Sequence, residues 1–343
     1  MFQLVHDTTT CVLAQTNPPY FHCMCHVTLF SSAKMVDHIS FVSASKVLEI
    51  LKYEDLIDII QSAFKKFSSR PESGVCQPMR SVIFVPPKNG FFGVMPGYSQ
   101  QDGVLATKLV TFFPQNKDLP THNAVILMFD VNNGLPKTIL DGEVITMMRT
   151  AAASAVATRY LSPPNSTTLA ILGAGVQARS HFHALAQVRT FREVRLWNWR
   201  RERADVLAAE IGGTVCDTVE EAVRDADVIV TVTSSPTPVL KKDWVKPGAH
   251  INAVGACRPD WNEIDPELML HSVVYADSYE GGYKESGDIV LSKAEIYAEL
   301  GEVILGKKEA HKDKTTVFKS LGLGIQDVVS AKLVMDKIEM EKS

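Results

Sequence analysis

Two kinds of hydrophobic pattern follow one another along the chain, and the change of pattern suggests its organisation. Residues 43–67, SASKVLEILKYEDLIDIIQSAFKKF, place apolar side chains at i, i+3 and i+4 in two stretches, which predicts two short amphipathic helices. Residues 81–85, 90–95, 104–112 and 124–129 are rich in β-branched and aromatic side chains and are bounded by Pro, Gly and Asn, so they predict strands. Asn132-Asn133-Gly134 reads as a turn into a further strand at 136–140, giving a mostly antiparallel meander. A helical pattern then runs over 143–160 and stops before Ser162-Pro163-Pro164, where the prolines end the helix and open a linker.

Beyond the linker, strand-like segments at 168–172, 193–198, 228–233, 250–254 and 273–276 alternate with helical ones. That alternation is the pattern of a parallel sheet covered on both faces. Residues 325–340 form one more amphipathic helix. Residues 1–34 fit neither pattern, and Met35 is a plausible alternative start. Within them His22-Cys23-Met24-Cys25-His26 packs four metal-type ligands into five residues. So short a run cannot easily wrap one tetrahedral ion, so no metal is expected.

Composition narrows the function classes. A chain of 343 residues exceeds the length, about 250 to 300 residues, at which single cores stop growing, so two domains are expected. The net charge of -4, with no basic tract interleaved with aromatics, argues against nucleic acid as a partner. The longest apolar runs, 124–129 and 228–232, fall far short of the roughly 18 residues of a membrane-spanning helix. Six irregularly spaced cysteines make no disulfide framework, and the amino terminus has no Lys or Arg before Lys34 to start a secretory signal. A cytoplasmic protein is expected.

The stretch LAILGAGVQARSHFHAL, residues 169–185, carries the first specific chemistry. A strand runs into Gly173, which permits a tight turn; Gly175 lets a backbone approach a pyrophosphate, and Ala178 allows close packing of helix on strand. Val176 and Gln177 open a helix whose free N–H groups and positive end suit phosphates. At the end of the second strand an acidic residue would bond the ribose of NAD, but Asn198 stands there, followed by Arg200 and Arg201. Cations at this point favour the 2′-phosphate of NADPH, with NADH bound more weakly. Thr231, Thr233 and Val254 near later strand ends, and Ser292, are further cofactor candidates.

GAGVQA, AHINAVGACRPDW, MRTAAASA, ATKLV, KESGDI and KTTVFKSLG together resemble the ornithine cyclodeaminase/mu-crystallin family, over about residues 35–336. The resemblance implies an α/β protein with a Rossmann-type dinucleotide-binding domain at 149–316. A discontinuous α+β substrate and dimerisation domain would span 35–148 and 317–343, with 1–34 as an extension, and the protein would be a homodimer. It also implies that Arg80, Lys108 and Arg149 hold and polarise the substrate and that Ser286 and Asp288 line the cofactor mouth. Read on their own, Lys108 interrupts the apolar 104–113 segment and Arg149 sits amid Met and Ala, and buried charges demand partners. None of the three has an obvious carboxylate neighbour in sequence, so a ligand carboxylate is expected to satisfy them, with Arg suited to a bidentate grip.

Deaminating members of that family carry an Asp just past the glycine of a turn that reads here Val254-Gly255-Ala256-Cys257-Arg258-Pro259-Asp260, with Cys257 at the Asp position. A thiol is a poor base there, so Cys257 and Arg258 are read as lining the substrate side of a reductase. The implied reaction is NADPH-dependent reduction of small cyclic ketimines bearing a carboxylate on the imine carbon, such as piperideine-2-carboxylate, pyrroline-2-carboxylate and sulfur-containing analogues. Two rivals stand beside it: a cyclodeaminase or amino-acid dehydrogenase, and a small-ligand binding protein, because one member of the family is associated with thyroid hormone. His181 and His183 read as packing or surface residues, and nothing demands a role for His122.

Overall fold

The computed structural model describes residues 39–342; the His22–His26 cluster and Met35 lie outside the described residues. The first sheet consists of β1 (Ser40–Val42), β2 (Val75–Cys76), β3 (Ser81–Val85), β4 (Gly90–Ser99), β5 (Val104–Phe112), β6 (His122–Phe129) and β7 (Pro136–Asp141). Its order is β1-β7-β6-β5-β4-β2, with β3 also paired to β4. Every pairing is antiparallel except β1 with β7. Along β5 and β6 burial alternates residue by residue, so one face is packed and the other half-open. Helices α1 (Ala44–Ile50) and α2 (Tyr53–Phe67) lie between β1 and β2 in the chain and α3 (Gly142–Leu161) follows β7, and α1 and α3 pack on strands of this sheet.

The second sheet is all parallel. It comprises β8 (Thr168–Leu172), β9 (Glu193–Trp197), β10 (Thr214–Val215), β11 (Val228–Thr231), β12 (His250–Ala253), β13 (Val273–Ala276), β14 (Ile296–Glu299) and β15 (Thr316–Lys319), in the order β10-β9-β8-β11-β12-β15-β13-β14. The chain leaves β8 for β9 on one side and returns to β11 on the other, so a crevice opens at the carboxyl ends of β8 and β11. Between the strands run α4 (Val176–Leu185), α5 (Arg201–Ile211), α6 (Val219–Val223), α7 (Pro266–Leu270), α8 (Tyr279–Glu285), α9 (Gly287–Ser292) and α10 (Leu300–Ile304), and α11 (Gly324–Met340) closes the chain. Among the described residues no helix is long and apolar enough to cross a membrane.

Two elements tie the sheets together. α3 is buried on all sides over Met148–Thr158, because its Ala-rich surface lets it approach β6 of the first sheet and β12 and β15 of the second. α11 lies across β4, β5 and β6 and against α2 and α3. The boundaries expected at 148/149 and 316/317 thus fall inside α3 and inside β15, which hydrogen-bonds to β12 and β13. The sequence pattern misses β1, β2 and β10 because two or three residues show no period, and β14 and β15 because four residues are too few to set a buried strand apart from the helical segments around it.

Candidate active site

Lys108 on β5, Arg149 on α3 and Asp327 on α11 meet in the interior, none more than a few per cent exposed. Lys108 Nζ lies 2.8 Å from Asp327 Oδ2, and Arg149 Nε donates to Asp327 Oδ1 at 3.1 Å. Arg149 Nη1 donates to Gln326 Oε1 at 3.0 Å, and Lys108 Nζ to Thr146 Oγ1 at 3.4 Å. The expectation that the cations lack a protein carboxylate is therefore corrected: Asp327 satisfies both, and Glu285 pairs with Arg80 at 3.1 Å. Each partner is far away in sequence, on an element that only the fold brings near.

Two cations share one carboxylate, and the charges set one another. Burial pushes the Lys108 ammonium down to about 7 against the pull of Asp327, with Arg149 and Arg80 adding to the fall. Burial would raise the Asp327 carboxyl, but Arg149 and Lys108 hold it below its ordinary value. His122, on the neighbouring strand, is pushed down to about 4 by burial and then by Lys108 and Arg149, so it is neutral at pH 7. The cluster keeps an excess positive charge whenever Lys108 is protonated, which suits an anionic ligand.

Arg80, between β2 and β3, reaches the loop that links β15 to α11. Its Nη2 donates to Leu321 O at 3.0 Å and Gly322 O at 2.9 Å. The N–H groups of the same two residues donate to the buried Asp277 Oδ2, each at 2.7 Å. Gly322 has φ +83°, and a Cβ there would lie 2.4 Å from Arg149 Nη1, so only glycine lets this backbone lie against the guanidinium. Asp277 Oδ1, Ser320 Oγ and Gln326 Nε2 are buried here without hydrogen-bond partners among the described residues. Arg149 Nη2 and Arg80 Nη1 likewise carry no hydrogen bond among the described residues. The donors among these, Ser320 Oγ, Gln326 Nε2 and the open Nη groups of the two arginines, are what a small carboxylate ligand needs.

The glycine turn stands at the crevice of the parallel sheet. Gly173 has φ +121°, and a Cβ there would lie 2.8 Å from Val232 O; a Cβ on Gly175 would meet nothing within 4 Å. Gly175 precedes α4 with no side-chain cap, leaving the first N–H groups, Val176 and Gln177, open, and Gln177 Oε1 is buried without a partner among the described residues. These features fit a pyrophosphate. At the end of β9 Asn198 Nδ2 donates to Arg200 O at 2.8 Å, and the Arg200 guanidinium sits 4.2 Å from the ring of the exposed Trp199. Arg200 makes no ion pair among the described residues, whereas Arg201 is tied to Asp217 and Asp205. The two arginines expected to act together are thus separated.

The remaining candidates divide by what their side chains already do. The hydroxyls of Thr231 and Thr233 both bond the buried Glu263. The Ser292 hydroxyl closes the end of α9 through Asp288 O, and Asp288 itself pairs with Lys319 at 2.8 Å. Ser286 caps α9, and Val254 contributes backbone to Thr231 O. Cys257 is an exposed free thiol, and Arg258 pairs with Asp260 at 3.3 Å. His181 is buried between Ser154 and Gln177 O and His183 is exposed, as packing and surface residues are. Sequence reasoning missed Asp327, Gln326, Asp277 and Glu285; an Asp beside a Gln in the apolar run GIQDVVSA was the one available signal.

The family model for the ornithine cyclodeaminase/mu-crystallin family matches residues 38–342. A ketimine reductase mu-crystallin from Mus musculus is 53% identical over 302 residues, 87% of this chain and 96% of the relative. A Delta(1)-pyrroline-2-carboxylate reductase from Bacillus cereus is 33% identical over 86% of this chain and 95% of its own. Among solved structures, the Delta(1)-pyrroline-2-carboxylate reductase of Thermococcus litoralis in complex with NADH and L-proline superposes with a TM-score of 0.84 at 33% identity, covering 89% of this chain and 98% of that one.

Removing the shared carboxylate tests the cluster. Asp327→Asn leaves Lys108 and Arg149 without a counter-charge, at an expected cost of about 3 to 5 kcal/mol in urea unfolding at pH 7. In the wild type the stability Asp327 contributes is complete above its ordinary value of 3.8 and is lost only as pH falls through its lower folded value. An unchanged unfolding midpoint for Asp327→Asn would contradict the assignment.

Proposed function

The chain belongs to the ornithine cyclodeaminase/mu-crystallin family, and within it we propose an NADPH-dependent reductase of cyclic ketimines that carry a carboxylate on the imine carbon. The observation that carries the reading is the buried lysine, Lys108, brought to about 7 between Asp327 and two arginines. A group with that value holds and gives a proton at neutral pH. Two relatives named as reductases, one of ketimines and one of pyrroline-2-carboxylate, favour reduction over deamination. So does Cys257, which offers no carboxylate at the position where deaminating members carry Asp.

The dinucleotide supplies a hydride to the imine carbon when bound. Gly173, Gly175, Val176 and Gln177 would hold its pyrophosphate, and Arg200 beside Asn198 would receive the 2′-phosphate. Arg149 and Arg80 use their open Nη groups on the substrate carboxylate and so orient the ring. Lys108 gives its proton to the imine nitrogen, and Asp327 keeps the resulting amine in place until it is reprotonated from solvent. Carbon gains a hydride and nitrogen a proton, so the C=N bond becomes CH–NH. In this reading the parallel sheet β8–β15 forms the dinucleotide domain, and the first sheet with α3 and α11 holds the substrate. Free thiols at Cys76, Cys216 and Cys257 suit the cytoplasm.

The direct test is oxidation of NADPH with a panel of cyclic ketimines; ammonia release from ornithine faster than reduction of any ketimine would overturn the proposal. Lys108→Met is expected to lower kcat by about a hundredfold. The wild-type rate should fall as pH rises through about 7, where the proton donor is lost; a rate flat from pH 6 to 9 would remove Lys108 from that role. Arg200→Ala should erase a tenfold to hundredfold preference for NADPH over NADH, worth roughly 1.5 to 3 kcal/mol, while Arg201→Ala leaves it. Equal loss in both variants would contradict the separation. Phe41 and Phe84, each 67% exposed, and Ile83 leave apolar surface on the first sheet that suits a homodimer; light scattering should give twice 37.8 kDa, and the monomer mass would exclude it.

A further inference from the structure

Glu263 is among the buried carboxylates that the mechanism leaves unused. Glu263, in the segment between β12 and α7, accepts from Thr231 Oγ1 at 3.0 Å, from Thr233 N at 2.6 Å and from Gly255 N at 2.7 Å, and the Thr233 hydroxyl bonds it as well. The carboxyl ends of β11 and β12 therefore converge on one side chain. Gly255 is what allows the approach, since a Cβ there would lie 2.5 Å from the carboxylate and 2.0 Å from Thr233 O.

Thr233 follows the residue against which the glycine turn closes. Val232 N–H donates to Leu172 O at 2.9 Å, and Val232 O is the atom that a Cβ on Gly173 would strike. A change in the path of 231–233 thus moves the wall of the Gly173 turn. Glu263 is itself held from behind: Asp288 Oδ1 accepts from Glu263 N at 2.7 Å and Ile264 N at 3.1 Å, and Asp288 Oδ2 pairs with the buried Lys319. Every bond to the Glu263 carboxylate comes from a donor, so an amide in its place would turn an N–H group toward other N–H and O–H groups.

We propose that Glu263 is a positioning residue for dinucleotide binding: it ties the ends of β11 and β12 together and so fixes the wall against which the Gly173 turn is formed. In this role Thr231 and Thr233 act as ties and not as ligands. The inference rests on the reading of the glycine turn as a dinucleotide site.

Fluorescence titration of NADPH and of NADH, without ketimine and well below the melting temperature, tests it on Glu263→Gln, Thr233→Val and Thr233→Ser. Glu263→Gln and Thr233→Val should raise the Kd for both nucleotides by about tenfold or more, and by the same factor, because the tie lies away from the 2′-phosphate. Thr233→Ser, which keeps the hydroxyl, should restore affinity to within about threefold of wild type. If Glu263→Gln does not fold, Thr233→Val against Thr233→Ser decides alone. A lowered melting temperature with wild-type Kd in Thr233→Val would make the tie purely structural and overturn the proposal. A wild type that binds neither nucleotide would instead overturn the dinucleotide reading.

Discussion

The Asp327 carboxylate, buried between Lys108 and Arg149, is the constraint on which the rest of the site depends. Two buried cations without it would keep only neutral acceptors among the described residues, Gln326 Oε1 and Thr146 Oγ1, against their desolvation cost. By meeting both, Asp327 joins α11 to β5 and to α3, the helix that also packs on the parallel sheet. The same pairing sets the chemistry, because a buried lysine opposed by one shared anion and pushed by two arginines settles near neutrality and not near 10.

The segment from Lys319 to Asp327 carries this constraint between the two halves. It begins in β15 with Lys319 held by Asp288, passes Leu321 and Gly322 gripped from one side by Arg80 and from the other by Asp277, and ends at Gln326 and Asp327 on Arg149 and Lys108. Asp288 in turn fixes the backbone of Glu263 beneath the crevice. Buried polar groups therefore run continuously from the ends of β11 and β12 to the cationic cluster. A hydride acceptor and a hydride source must be aligned to within a fraction of an ångström, and a chain of directional bonds holds such alignment better than apolar packing alone.

Local features were legible in the sequence and long-range pairings were not. The glycine turn is local: a strand, Gly173, Gly175 and Ala178 within ten residues specify both the conformation and the ligand class, and the structure agrees with the expected turn. Lys108 and Arg149 were legible as anomalies, charges where the surrounding pattern is apolar. Their partner was not, since Asp327 is 178 residues from Arg149 and nothing along the chain reports that distance closing. Thr231, Thr233 and Ser292 were named from their positions at strand and helix ends, but position does not reveal that Glu263 and Asp288 already occupy their hydroxyls. Arg200 and Arg201 looked equivalent for the same reason: Asp217, which separates them, lies beyond the next helix.

Burial, opposed by Asp327 and aided by the two arginines, brings the Lys108 ammonium down to about 7, and on this the proposed chemistry rests. Heteronuclear NMR of the lysine side chains across pH, with Lys108→Arg to assign the signal, measures this directly. The account predicts a Lys108 titration near 7 in the wild type, moving lower still in Asp327→Asn because Asp327 is the group that favours the charged form. A Lys108 that titrates near its ordinary 10.5, or one unmoved by the loss of Asp327, would contradict it.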